Sequence, residues 1–139
     1  MGKDGFGEGT PSGDLAQTRF YGRRKGRPLR IGRQKLLEEL LPTIEIPSPI
    51  TGPIDPLTLF GNGKKQIWVE IGFGGGEHLA WQAAANPDVG LIGAEPFISG
   101  VATCLSHIAD KKLTNIRLHA DDGRPLLAAL PEASVDRVF

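Results

Sequence analysis

The sequence predicts an α/β domain in which parallel strands alternate with helices. Over residues 66–139, short apolar runs alternate with segments whose apolar residues recur at helical spacing. Breaks that contain glycine, proline or asparagine separate these segments, so that a helix follows each of the first three strands. This alternation is typical of a parallel sheet with right-handed crossovers.

The element boundaries follow from the same patterns. Strands are predicted at residues 67–71, 90–94, 115–119 and 135–139, and helices at 77–85, 99–111 and 124–130. The inner faces of the first two helices are expected to carry Leu79, Ala80, Ala83, Ala84, Val101, Cys104, Leu105 and Ile108. Because the fourth strand runs to the last residue, we expect that the sequence is truncated at its C-terminal end.

The first 65 residues have a different character. Residues 1–18 are small and polar and are expected to be disordered. Residues 19–65 read as a basic arm, a short amphipathic helix over 34–41 that ends before Pro42, and a proline-rich linker. Leu57, Leu59 and Phe60 are the expected anchors of this linker on the domain, which is predicted to begin at residue 66.

The charge is distributed unevenly along the chain. Residues 1–35 hold nine Lys and Arg against three Asp and Glu, whereas residues 36–139 hold seven against thirteen. Basic side chains interleaved with Phe20 and Tyr21 suit phosphate contacts and base stacking. The candidate RNA-binding residues are Arg23, Arg24, Lys25, Arg27 and Arg30. A solvated basic tail is the alternative interpretation, since such tracts are a weak signal.

Several functional classes are disfavoured by composition. The single cysteine, Cys104, excludes an internal disulfide and fits a reducing compartment. No secretory signal peptide and no membrane-spanning apolar run are found, so a cytoplasmic location and no membrane partner are expected. His78, His107 and His119 lack the spacing of metal ligands, so no metal is expected.

A glycine turn follows the first predicted strand. Gly72 and Gly74 belong to the run IGFGGGEH, between that strand and the first helix. Glycine permits positive φ and close approach of the backbone to a ligand. A strand–glycine turn–helix unit binds adenosine-bearing cofactors in many proteins, but the pattern alone is equally consistent with a structural turn.

The acids around this turn distinguish between cofactors. Glu70 and Glu77 flank the turn and would repel a dinucleotide pyrophosphate at the helix N-terminus. S-adenosylmethionine has no phosphate and carries an ammonium and a sulfonium group, so acids favour it. Glu95 ends the second strand, 23 positions after Gly72, where a carboxylate usually binds ribose hydroxyls.

Two further acids, Asp121 and Asp122, follow the third predicted strand. At that position a side chain can reach the edge of an adenine. All of these acids fall at the carboxyl ends of strands, the edge at which open α/β sheets bind ligands. The alternative is that they are ordinary turn and N-cap acids, an interpretation that is strongest for Asp121 and Glu77.

These motifs resemble the bacterial tRNA (guanine-N7-)-methyltransferase family. The resemblance rests on VEIGFGGGEHLAWQAAANPDVGLIGAEPFISGV, LTNIRLHADDGRPLL and SVDRV, and it runs from about residue 68 to 139. It extends more loosely to FYGRRKGRPLRIGRQKLLEELLP. The combination of EIGFG, IG-x-E and LTNIR at these intervals is much narrower than a generic glycine turn.

The resemblance implies a Rossmann-like class I methyltransferase sheet, of which residues 66–139 are the N-terminal part, preceded by the basic arm. It implies S-adenosylmethionine as cofactor and guanine 46 of the tRNA variable loop as substrate. In the family, a P-D-P-W-P-K-K-R-H-type motif with the proposed catalytic Asp follows the fourth strand. We therefore expect the catalytic Asp to lie after Phe139. The implied cofactor-binding residues are Glu70, Gly72, Gly74, Glu95 and Asp122.

Three other functions remain open from the residues. The first is a class I methyltransferase that acts on a small molecule or a protein. The second is a non-catalytic RNA-binding module, in which the arm binds RNA and the sheet is a scaffold. The third, a nicotinamide-dependent enzyme, is disfavoured by Glu70.

Overall fold

The computed structural model describes residues 31–61 and 63–139 of the chain. The predicted disordered tail, residues 1–18, lies outside the described residues. The same holds for the predicted RNA-binding residues Arg23, Arg24, Lys25, Arg27 and Arg30. The described part of the chain therefore comprises the segment before the sheet and the sheet domain itself.

The domain is built on a sheet of four parallel strands. Their spatial order is β3–β2–β1–β4, and the register pairs Glu70 of β1 with Gly93 of β2. The predicted α/β class and parallel sheet are confirmed, and β1, β2 and β3 begin within one residue of the predicted positions. The strands are β1 (Gln66–Ile71), β2 (Val89–Ala94), β3 (Ile116–His119) and β4 (Arg137–Val138).

Helices cover both faces of this sheet. The helix between β1 and β2 has the predicted bounds, and the helices after β2 and β3 each begin one residue earlier than predicted. The helices are α1 (Ile31–Glu39), α2 (Leu41–Ile44), α3 (Glu77–Ala85), α4 (Ile98–Lys111) and α5 (Gly123–Ala129), and a 3-10 turn spans Pro56–Leu59.

Two hydrophobic clusters lie on opposite faces of the sheet. Alternation along β1 sends Trp68 to one face and Ile67 and Val69 to the other. The Trp68 face packs against α1, α3 and α4, and the Val69 face packs against α5 and the proline-rich segment. All six residues of β2 are buried, as expected of a central parallel strand covered on both sides.

The segment before the sheet differs from the prediction in its helices. Helix α1 ends at Glu39, and α2 then begins at Leu41 with Pro42 in its first turn. A proline is tolerated there because the first turn of a helix has no partners for its N–H groups. The prediction that the helix runs to residue 41 and ends before Pro42 was therefore wrong.

The proline-rich segment packs on the domain. The Ile46 N–H donates to the Leu118 carbonyl at 2.7 Å, and the Ile54 N–H donates to the Ala129 carbonyl at 2.9 Å. Glu45 forms an isolated parallel bridge with Leu118 on the outer side of β3. These long-range bonds have no signature in local sequence, and the division of the chain at residue 66 stays a prediction.

Two of the three expected linker anchors pack on the domain. Leu59 and Phe60 contact the cluster around Val69, as predicted, and the Phe60 ring lies over Gly90. Leu57 is 54% exposed, so it is not an anchor, and buried Ile46 takes that role. Ala84, expected on the inner face of α3, is exposed as well, because the apolar stripe of this helix is narrower than its run of alanines indicates.

Candidate cofactor site

The carboxyl ends of the strands form the edge at which the candidate site lies. The chain leaves β1 for β2 on one side and returns as β4 on the other side of β1. A parallel sheet opens a crevice at such a switch point, and open α/β sheets bind their ligands there. The glycine turn after β1, residues 72–76, lies at this crevice and is called the glycine loop.

The glycine loop is fixed by its backbone. Gly72, Gly74 and Gly76 have φ values of +72°, +62° and +83°, in the left-handed region that side chains disfavour. The Gly72 N–H donates to the Ala94 carbonyl at 2.8 Å, so the loop folds back over the end of β2. The left-handed backbone at these three alternate positions therefore explains why each of them is a glycine.

The first turns of α4 pack directly against this loop. A Cβ added to Gly100 would overlap the Gly74 carbonyl oxygen, and one added to Gly76 would overlap the Cys104 side chain. Sequence reasoning predicted Cys104 as a core residue, which is confirmed, but missed Gly100. Gly100 could have been identified because a glycine inside a helix is unfavourable, and its presence there often indicates close packing.

Cys104 is buried directly beneath the loop. Burial, and then the negative charges of Glu70 and Glu77, raise the pKa of its thiol to about 12. A thiol in this environment stays protonated at neutral pH and is a poor nucleophile. The residue therefore supports the loop by packing.

Glu95 ties the glycine loop to the start of α4. Its side chain lies at the end of β2 and is only 5% exposed. One carboxylate oxygen accepts the Gly74 N–H at 2.8 Å, and the other accepts the Phe97 N–H at 3.1 Å. The structure thus brings together two of the predicted site residues, Gly74 and Glu95.

Glu70 occupies the end of β1, on the face covered by α3 and α4. Its side chain is 13% exposed, and one of its oxygens lies 2.9 Å from Nδ1 of His78 on α3. Its negative charge contributes to the raised pKa of the thiol of Cys104, which packs against Gly76. His78 did not enter the sequence-based site because its contact with Glu70 forms only when α3 packs on the sheet.

Asp122 stands apart from these two acids, on the turn after β3. Its side chain caps α5 by accepting the Arg124 N–H at 2.9 Å, and it also pairs with the Arg124 guanidinium. These hydrogen bonds lower the pKa of Asp122 to about 2. Neighbouring Asp121 accepts a hydrogen bond from the Ser48 hydroxyl at 2.5 Å. Asp122 is thus the N-cap of α5, and Asp121 makes turn contacts beside it.

Acidic side chains predominate around the glycine loop. The sequence contains no Lys or Arg between Lys65 and Lys111, whereas Glu70, Glu77 and Glu95 surround the loop. A pyrophosphate at the loop would be repelled by these carboxylates. Among the described cations, Arg33 approaches this side of α4, with its Nη1 3.1 Å from the Thr103 hydroxyl. A ligand with a positive centre would instead gain by lying there.

The described residues indicate neither a metal site nor a membrane segment. Within residues 31–61 and 63–139, no three His, Cys, Asp or Glu side chains cluster as metal ligands would. His107 lies 3.8 Å from Glu77, and His119 is buried with its Nδ1 2.8 Å from the Ile46 carbonyl. No described helix has the length and apolarity needed to span a bilayer.

The four parallel strands, the flanking helices and the glycine loop at the switch point are those of a Rossmann-like α/β domain. The model of the family described as "Putative methyltransferase" matches residues 64–139, more than half of the chain. The chain belongs to this methyltransferase family. Such families generally use S-adenosylmethionine as methyl donor.

Proteins named tRNA (guanine-N(7)-)-methyltransferase are similar over nearly the whole chain. That of Rhodospirillum rubrum is 49% identical over 132 residues, which are 93% of this chain and 52% of the relative. That of Caulobacter vibrioides is 47% identical, over 94% of this chain and 56% of the relative. That of Paramagnetospirillum magneticum is 44% identical, over 96% of this chain and 58% of the relative. The resemblance predicted from the motifs is confirmed, and the chain spans about half the length of these curated relatives.

Proposed function

We propose that this chain binds S-adenosylmethionine at the glycine loop, as the cofactor-binding part of a tRNA (guanine-N7-)-methyltransferase. The observation that carries the proposal is the buried Glu95 carboxylate, which holds the Gly74 N–H at the switch point of the sheet. The names of the similar proteins support the choice of substrate. A tRNA substrate agrees with the cytoplasmic location expected from the sequence.

The predicted site residues fit this cofactor chemically. Glu70 would face its cationic end, and the left-handed backbone at Gly72 and Gly74 would let the ligand approach closely. Glu95 would accept hydrogen bonds from ribose hydroxyls. An ionised carboxylate has about four lone-pair positions, of which Glu95 uses two on backbone N–H groups. Asp122 would lie toward the adenine edge.

The reaction requires little acid–base chemistry from the protein. When bound, S-adenosylmethionine supplies a methyl group on a positively charged sulfur. Guanine N7 carries a lone pair and no proton, so it would form the new N–C bond without a general base, and the electron pair of the broken S–C bond would pass to sulfur. The protein positions the reactants and stabilises the positive charge that develops on the purine.

The tRNA contacts are proposed for the basic arm. Arg23, Arg24, Lys25, Arg27 and Arg30 would neutralise phosphates, while the acidic body would not attract them. We propose that the catalytic Asp comes from the motif that follows β4 in the family, outside the 139 residues of this chain.

Calorimetric titration of the chain with S-adenosylmethionine tests the cofactor proposal. We expect saturable binding that is lost in Glu95→Ala, and no binding of NAD under the same conditions. Binding of NAD in place of S-adenosylmethionine would contradict the proposal. A chain that binds RNA but neither cofactor would instead support the RNA-binding module.

Incubation of the whole enzyme with tRNA and labelled cofactor tests the substrate. We expect N7-methylguanosine in the nuclease digest of the tRNA. The matched control is tRNA in which 7-deazaguanosine replaces guanosine, since it lacks the nitrogen that would be methylated. Methylation of small molecules or proteins, with none in tRNA, would favour the other class of methyltransferase.

A further inference from the structure

We propose that His78 is a positioning residue, which fixes the Glu70 carboxylate through Nδ1–H while adding no positive charge beside it. This inference rests on the proposed function, because it concerns the acid that would face the cationic end of the cofactor. It adds a residue and a protonation state that neither the motifs nor the relatives' names assign.

The contact between these residues joins two elements of the fold. Glu70 ends β1, and His78 lies in the first turn of α3, just after the glycine loop. Glu70 Oε1 and His78 Nδ1 are 2.9 Å apart, a hydrogen-bonding distance. The His78 side chain is 46% exposed and the Glu70 side chain only 13% exposed, so the carboxylate is the more buried partner.

The polar network on α3 indicates which imidazole nitrogen carries the proton. Asn86 Nδ2 donates to the Gln82 backbone carbonyl at 2.9 Å and to the Gln82 side-chain oxygen at 3.3 Å. This orients the Gln82 amide so that its NH₂ group faces His78 Nε2, at 3.1 Å. An NH₂ group can only donate, so His78 Nε2 is the acceptor and the proton resides on Nδ1.

The tautomer has an electrostatic consequence. A neutral imidazole orients Glu70 without cancelling its charge, whereas an imidazolium would compete with a cationic ligand. Within the described part of the chain, no lysine or arginine lies within ion-pair distance of Glu70. Nearby Arg137 stacks on the Trp68 ring, with its guanidinium 4.4 Å from the ring centroid.

An aromatic contact from the neighbouring strand fixes the imidazole plane. The Phe139 ring meets the His78 ring edge to face, with centroids 4.9 Å apart. Phe139 is itself held to β1, because its N–H donates to the Val69 carbonyl at 2.8 Å and its carbonyl accepts the Ile71 N–H at 3.1 Å. His78 is therefore held by β1, by its own helix and by the residue after β4.

Two variants of the 139-residue chain separate positioning from packing. His78→Ala removes the donor to Glu70, and His78→Asn keeps an N–H donor near the position of Nδ1. We expect His78→Ala to weaken binding of S-adenosylmethionine about tenfold, the order of one hydrogen bond to a charged group. His78→Asn should restore most of this affinity, and His107→Asn, a histidine on α4 beside Glu77, should leave it unchanged.

Methylthioadenosine is the ligand that shows whether the effect acts through Glu70. It keeps the adenosine but lacks the amino-acid end and the sulfonium charge, so its affinity should be the same for wild type and His78→Ala. Nitrogen NMR shifts of wild-type His78 should report the Nδ1–H tautomer. Circular dichroism of each variant checks that it is folded, and if His78→Ala is not, His78→Leu takes its place.

The outcomes distinguish the two proposals. Equal loss of affinity for both ligands, or no loss for either, would overturn the role of His78, as would an Nε2–H tautomer. If the wild-type chain binds no S-adenosylmethionine, the proposed function fails and the role of His78 fails with it.

Discussion

The two acidic ends of the candidate site are built in different ways. At the ends of β1 and β2, buried or nearly buried carboxylates bind backbone N–H groups and a histidine, and left-handed glycines set the loop. After β3, Asp122 is partly exposed, caps α5 and pairs with a nearby arginine. The first region depends on long-range packing, whereas the cap and the ion pair of Asp122 join residues only two positions apart. Substitutions should therefore affect both stability and cofactor binding in the first region, and have small, local effects in the second.

The largest effect is expected for Gly76→Ala. The added Cβ would overlap Cys104, and the residue would keep a positive φ of 83°. Left-handed strain of about 1–2 kcal/mol and overpacking of about 1–3 kcal/mol should lower the free energy of unfolding, as measured by urea denaturation. Gly52→Ala is the control, because its Cβ would meet nothing within 4 Å. Equal stability of the two variants would show that the close packing under the loop is unimportant.

The next largest effect is expected for Glu95→Gln. The amide keeps one acceptor oxygen, but its NH₂ group would face one of the two backbone N–H donors, Gly74 or Phe97. Leaving a buried donor unsatisfied costs about 1–3 kcal/mol, so both the thermal midpoint and the affinity for S-adenosylmethionine should fall. If Glu95→Gln keeps both the thermal midpoint and the affinity of the wild type, Glu95 is not part of the binding site.

A smaller effect is expected for Asp122→Ala. It removes the cap of α5 and the pair with Arg124, while the glycine loop stays intact. The thermal midpoint should fall less in this variant than in Glu95→Gln. In Asp122→Asn, which keeps a capping oxygen, the decrease in thermal midpoint should be smaller still. If Asp122→Ala loses more affinity for S-adenosylmethionine than Glu95→Gln does, the region after β3 contributes more to cofactor binding than the region around Glu95.

The Asp122 pair also predicts a dependence of stability on pH. The pKa of this carboxyl is depressed to about 2 in the folded chain, below the value of about 3.9 expected for the unfolded chain. Its stabilising contribution is therefore present above about pH 4 and is lost as pH falls toward 2. Acid titration of the thermal midpoint should show a shallower decline in Asp122→Asn than in wild type over this interval.

The smallest effect is expected at Cys104. Because burial and nearby acids raise the pKa of its thiol to about 12, a thiol reagent at neutral pH should not react with the folded chain. Reaction should appear only when urea unfolds the protein. Rapid labelling of the native chain would show that the packing between α4 and the glycine loop opens readily.

Most of the sheet was predictable, because its signals are local. The apolar runs of β1, β2 and β3 and the helical spacing in α4 each lie within one short window. Glu95 and Gly74 were both selected from the motifs, but the hydrogen bond between them joins positions 21 residues apart and needed the folded structure.

Several of the missed features depend on contacts between distant segments. Gly100 is required by the Gly74 carbonyl, and His78 gains its partner when α3 packs beside β1. The proline-rich segment looked like a linker because its composition lacks periodicity, yet Ile46 bonds to β3. Which of two adjacent aspartates caps α5 was decided by backbone angles, with φ −55° and ψ 134° at Asp122.

The bridge between Glu45 and Leu118 has a consequence for self-association. β3 lies at one side of the sheet, where an unpaired strand would offer its backbone groups to another chain. Glu45 and Ile46 occupy that position, and Pro47 and Pro49 follow with no N–H group to donate. The segment therefore shields β3 against intermolecular strand addition and cannot itself continue the ladder. In this way a stretch that looks like a spacer limits aggregation at one side of the sheet.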